Sequence, residues 1–120
     1  MYFKFGDGHN DDASWQTYLR DFSTVKAAAM RTADGRSLVL RAVNPTASAS
    51  SLVLDVRGGA LDAATPVQLQ TLSSDDLKAF NSAARPNAVA PVASTAAASA
   101  TGAAIPLPAQ SFVVAVAKLA

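Results

Sequence analysis

Residues 24–45 read TVKAAAMRTADGRSLVLRAVNP, and this stretch decides the fold class. Val25, Ala27 and Ala29 alternate with Lys26, Ala28 and Met30. A period of two sends successive side chains to opposite faces of a strand. The run stops at Thr32-Ala33-Asp34-Gly35-Arg36 and resumes as Ser37-Leu38-Val39-Leu40-Arg41-Ala42-Val43 before Asn44-Pro45. Asp-Gly between two alternating runs predicts a β-hairpin, because glycine takes the positive φ that the turn requires.

Outward from this hairpin the pattern persists. A small polar loop over residues 46–50 leads to Leu52, Leu54 and Val56 on one face, with Asp55 and Arg57 on the other. Gly58-Gly59 ends that strand. In residues 65–72 (TPVQLQTL), Val67 and Leu69 alternate with Gln68 and Gln70, as in a half-buried antiparallel strand. Residues 73–81 read as one or two helical turns, with Ser73 or Ser74 as cap and Asp75 and Asp76 at the positive end of the helix dipole. Leu77 and Phe80 would pin that turn to the core. Residues 83–104 are half alanine and carry Pro86, Pro91 and Gly102; they read as an extended segment anchored by Val89 and Val92. Residues 111–119 (SFVVAVAKL) are almost unbroken apolar, which predicts a central strand covered on both faces. The expected fold is all-β: an antiparallel two-sheet β-sandwich of jelly-roll or Greek-key type, with at most one or two short helical turns. Its core should hold Leu38, Leu40, Leu52, Leu54, Val56, Val67, Leu69, Phe112, Val114 and Val116.

Composition narrows the function. The chain has 120 residues, half of them apolar and only 16% charged, which places it as one folded domain rather than a disordered segment. A formal charge of +1, with no basic block, argues against nucleic acid as a partner. No apolar run approaches the roughly 20 residues that cross a bilayer, so no membrane partner is expected. Residues 2–6 (YFKFG) are too short and mixed for a signal peptide. With no cysteine there is neither a disulfide framework nor a thiolate site, and the compartment is not legible.

The first 21 residues differ from the rest and read as a lead-in segment to a sandwich domain over 22–120. Asp7, His9, Asp11 and Asp12 sit in a turn-rich stretch (GDGHNDD). Its oxygens would suit a hard cation, but the spacing lacks an EF-hand's alternation and distal glutamate, so it reads as a solvated turn. No metal or cofactor site is expected. Trp15, Tyr18, Leu19 and Phe22 fit one helical face, although ten residues are marginal for a helix in water. Trp15 and Tyr18 are the candidate contact residues, for a sugar face or for an interdomain seam. A Ser–His–Asp triad built on His9 has no nucleophile-elbow context, and Gly58-Gly59 has no helix start behind it to make a phosphate loop.

Five pieces then appear in order. They are residues 38–45 (LVLRAVNP), 51–58 (SLVLDVRG), 67–81 (VQLQTLSSDDLKAFN), 86–91 (PNAVAP) and 105–114 (IPLPAQSFVV). Together they resemble the C-terminal domain of family 51 α-L-arabinofuranosidases, over about residues 24–119. The resemblance implies a β-sandwich packed on a catalytic (β/α)₈ barrel. It also implies a parent enzyme that removes terminal α-L-arabinofuranosyl residues from polysaccharides by a retaining mechanism. Retention needs two carboxyls about 5 Å apart, and in the family these are barrel glutamates. This sequence has no glutamate: its nine acidic residues are all aspartates. No catalytic residue carries over, and residues 1–21 would be a barrel-to-sandwich connection or a cover for the sandwich.

Two function classes follow. One is a non-catalytic accessory domain, partnered by the barrel of its parent enzyme or self-associating through the uncovered face. The other is an independent carbohydrate-binding or adhesion-type sandwich. Binding modules display two or three coplanar aromatics, and from Ser23 onward only Phe80 and Phe112 are present, which favours the first.

Overall fold

The computed structural model describes residues 2–5, as backbone, and residues 25–120. The described residues form nine strands in order: β1 Tyr2–Phe5, β2 Lys26–Arg31, β3 Ser37–Asn44, β4 Ser50–Arg57, β5 Val67–Ser73, β6 Val92–Ala96, β7 Ala98–Ser99, β8 Gly102–Leu107 and β9 Ser111–Lys118. They form two antiparallel sheets, ordered β1-β4-β8-β7 and β2-β3-β9-β5-β6. The described residues include no helix.

The sandwich follows from alternation along each strand. Leu38, Leu40 and Ala42 of β3 and Leu52, Leu54 and Val56 of β4 point into one core, met by Val67 and Leu69 of β5 and Ile105 and Leu107 of β8. Fully burying a leucine or valine contributes about 1.5–3 kcal/mol, so this set supplies most of the driving force. β3 pairs with β9 in one sheet and β4 with β8 in the other. The two connections, β3 to β4 and β8 to β9, therefore cross between the sheets side by side.

The predicted hairpin is present, closed by the five-residue loop 32–36. Gly35 has φ 72° and its N–H donates to Thr32 O at 2.9 Å. The Thr32 hydroxyl at 2.6 Å and the Arg36 N–H at 3.0 Å donate to Asp34 Oδ1 and hold that carboxyl below its ordinary value. Asp62, in the loop before β5, is lowered in the same way by the Thr65 hydroxyl and the Ala64 N–H. A depressed carboxyl adds stability that is complete above its unfolded value near 3.8 and is lost as pH falls through the lowered folded value. The melting temperature should be flat from about pH 8 to 5 and fall below about pH 4. Melts across that range should show a shallower acid limb in Thr32→Val/Thr65→Val, and an equal slope in both proteins would refute the assignment.

Several expectations are corrected. In β9 it is Val113, Ala115 and Ala117 that are buried, whereas Phe112 and Val116 are each 38% exposed and Val114 is half-buried. The register explains it: Ala117 lies beside Leu38, and Ala115 lies between Leu40 and Leu69. The large leucines leave room only for small inward neighbours. Residues 74–80 form a turn rather than a helix. Ser74 Oγ and Asp76 Oδ1 accept from the Asp76 and Lys78 N–H groups, bonds that compete with helix formation. Leu77 and Phe80 do not pin this turn to the core, being 78% and 74% exposed. Val92 is exposed as well and anchors nothing. The alanine-rich stretch supplies β6, β7 and β8, where an extended connection was expected. Pro106 fits within β8 because at that point only β4 flanks the strand.

Candidate interaction surface

The sequence motifs turn out to be stitches between loops. Asn44, at the end of β3, is fully buried. Its Nδ2 donates to Ser48 O and Pro108 O, both at 2.9 Å, and makes a longer contact of 3.3 Å with Leu107 O. Its Oδ1 accepts from the Thr46 N–H at 3.1 Å and the Thr46 hydroxyl at 2.6 Å. One amide thus joins the β3–β4 connection to the β8–β9 connection. The Ser111 hydroxyl donates to Pro108 O at 2.7 Å, and the Gln110 N–H reaches Thr46 O at 2.9 Å. The Val-Asn strand end and the Leu-Pro-x-x-Ser turn, 63 residues apart in sequence, are two halves of this node.

A second node shapes the long loop between β5 and β6. Asn81 Nδ2 donates to Val89 O at 2.9 Å, while the Val89 N–H donates to Asn81 Oδ1 at 2.7 Å. Ser82 and Arg85 exchange backbone bonds of 3.1 Å within it. The loop is fastened to itself, and it displays Leu77 and Phe80 outward. Leu77, Leu72 and Phe112 border a common open hollow of about 300 Å³ at the end of β5 and β9. That hollow adjoins the outward face of the five-stranded sheet, where register groups Met30 with Val39 and Val116, and Val43 with Phe112 and Leu72.

The sequence-predicted contact residues Trp15 and Tyr18 lie outside the described residues, as do His9 and its neighbouring aspartates. Among the described residues no group of three or more His, Cys, Asp or Glu is placed to hold a metal ion. The surface just described was missed because Phe112, Val114 and Val116 were assigned to the core. The alternative was visible in residues 111–119, where the other parity carries alanine at two of its inward positions.

No protein-family model matches the chain, and no curated protein matches it. Solved structures do. The GH51 arabinofuranosidase from Xanthomonas axonopodis pv. citri is 29% identical, with TM-score 0.68, over 78% of this chain and 19% of that one. The α-L-arabinofuranosidase from Thermotoga maritima, solved with arabinose, is 25% identical with TM-score 0.68 over 79% and 19%. A family 51 α-L-arabinofuranosidase from Bifidobacterium longum is 28% identical with TM-score 0.64 over 78% and 18%. The chain spans about a fifth of the length of these structures. In fold and sequence, over nearly four-fifths of its length, the chain is similar to the C-terminal β-sandwich domain of family 51 α-L-arabinofuranosidases.

Proposed function

We propose that this chain is a non-catalytic accessory β-sandwich, of jelly-roll winding, serving an α-L-arabinofuranosidase-type enzyme. The parent enzyme would hydrolyse terminal α-L-arabinofuranosyl residues with retention, in a (β/α)₈ barrel outside this sequence. The sandwich would pack on that barrel and support its fold. The observation that carries the reading is the lopsided coverage: most of this chain matches about a fifth of each of these arabinofuranosidases. The absence of glutamate supports a division of labour in which the carboxylate pair lies elsewhere. Residues 1–21 are assigned to the connection or cover, and Trp15 and Tyr18 to an interdomain contact within it.

An independent sugar-binding module is the weaker reading. Among the described residues the exposed aromatics are Phe80, on the loop, and Phe112, among valines on the sheet. Neither belongs to a set of coplanar rings. The two readings separate by experiment. The purified chain should release no arabinose from aryl arabinofuranosides and give no heat on titration with arabinan or arabinoxylan. Saturable binding lost in Trp15→Ala/Tyr18→Ala would favour the module, and turnover tracking the protein through purification would end the non-catalytic reading.

A further inference from the structure

The two outer faces of the sandwich differ in chemistry. On the four-stranded sheet, β4 turns Ser51, Val53, Asp55 and Arg57 outward, and β8 adds Ala104 and Pro106. There Arg57 pairs with Asp55 at 2.9 Å, and their neighbours on β4 and β8 are small or aliphatic. On the five-stranded sheet the outward residues include Met30, Val39, Val43, Leu72, Phe112 and Val116. Three neighbouring strands, β2, β3 and β9, spaced about 4.8 Å apart and apolar around Arg41 over about six residues each, make a field of roughly 300 Å², bordered on β5 by Leu72 and by the outward Gln68 and Gln70. That is the size at which a patch on a monomer is often functional. The fastened loop extends it with Leu77, by the hollow shared with Leu72 and Phe112. A pinned loop that presents large apolar side chains has already met much of the ordering cost of binding.

Charge on this face selects the occupant. Among the described residues the charged side chains of the sheet itself are Lys26, Arg41 and Lys118; the aspartates lie at its margins, Asp62 near Lys118 and Asp76 at the loop hollow, away from Arg41. Arg41 stands in the middle, in register between Ala28 and Val114. A second copy laid face to face would bring arginine towards arginine. A partner with an acidic group at that point would instead gain a desolvated ion pair inside an apolar ring, an arrangement typical of binding hot spots. We infer that this face, with Leu77 and Phe80, docks the sandwich on a second protein domain, whose surface is apolar with a carboxylate opposite Arg41. The inference rests on the accessory-domain reading and names the surface it uses.

The test places the full chain in the Xanthomonas axonopodis GH51 arabinofuranosidase, in exchange for the matching fifth of that enzyme. The unmodified hybrid is expected to be soluble and to release arabinose. Arg41→Glu, and separately Val114→Thr/Val116→Thr, should lower its melting temperature by roughly 5 °C or more. Val53→Thr on the other sheet should leave it unchanged. These substitutions keep strand-compatible shapes, so the same variants of the isolated chain should melt like the parent. Outer-face variants that melt with the unmodified hybrid would overturn the surface while leaving the accessory reading intact. A hybrid that fails to assemble even unmodified would overturn both. An isolated chain that sediments as a dimer, and becomes monomeric with Val114→Thr/Val116→Thr, would assign the face to a second copy instead.

Discussion

Asn44→Ala should cost about 3 kcal/mol or more and lower the melting temperature by roughly 10 °C or more. The side chain is fully buried and serves partners on two connections at once. Alanine would strip one of two donors from the Ser48 and Pro108 carbonyls, which keep the Thr46 and Ser111 hydroxyls, and would leave the Thr46 N–H without its partner. A buried polar group stranded in this way costs about 1–3 kcal/mol, and a domain of this size has only about 5–15 kcal/mol to lose. Asn44→Asp would not rescue it, because a carboxylate keeps the acceptor for Thr46 but supplies neither donor and adds a buried charge. Denaturant melts of the three proteins check this directly. An Asn44→Ala protein melting within about 2 °C of the parent would show that the node does not hold the crossing connections together.

Gly102→Ala should be comparably severe, for a steric reason. A Cβ on Gly102 would lie 1.8 Å from Leu54 O and 2.9 Å from Leu54 C, both backbone atoms. No rotamer relieves that contact, so β8 must move away from β4 at the Asp55–Gly102 position. The adjacent bond from the Val56 N–H to Thr101 O, 2.8 Å, would open with it. Overpacking of this kind costs about 1–3 kcal/mol, and the upper end or beyond is expected where the obstacle is backbone. Gly35 makes the contrast. Its φ is 72°, yet the atoms nearest an added Cβ belong to the flexible Arg31 side chain at 3.0 Å and beyond. Gly35→Ala should therefore cost only about 1 kcal/mol, from backbone strain. Equal losses at the two positions would contradict this reading of β8.

These two residues also mark what the sequence conveyed. β3 to β5 were legible because leucines and valines recur at every second position with Arg41, Asp55, Arg57, Gln68 and Gln70 among the residues between them, and β2 through the Asp-Gly turn that follows it. β9 carries apolar residues at both parities, and size pointed the wrong way: the core leucines opposite demand Ala115 and Ala117, which pushes Phe112 and Val116 outside. β6 to β8 were obscured because alanine carries little strand preference and reads as low complexity. Their pairing depends instead on neighbours far away in sequence, as Ile105 shows opposite Leu52. Leu61, buried in a loop and bridged to Leu119, belongs to no periodic run at all. The motifs behind the family resemblance proved to be loop stitches at Asn44, Asn81 and Ser111. The docking face was hidden by the same parity error that put three of its residues in the core.

The accessory role is tested most directly by one melting experiment on the hybrid enzyme, in which this chain replaces the matching fifth of the Xanthomonas axonopodis arabinofuranosidase. If the sandwich supports a catalytic barrel, sandwich and barrel should unfold in a single transition, with arabinose release lost at the same temperature. Two separate transitions, with activity following the barrel alone and indifferent to Asn44→Ala in the sandwich, would contradict the account.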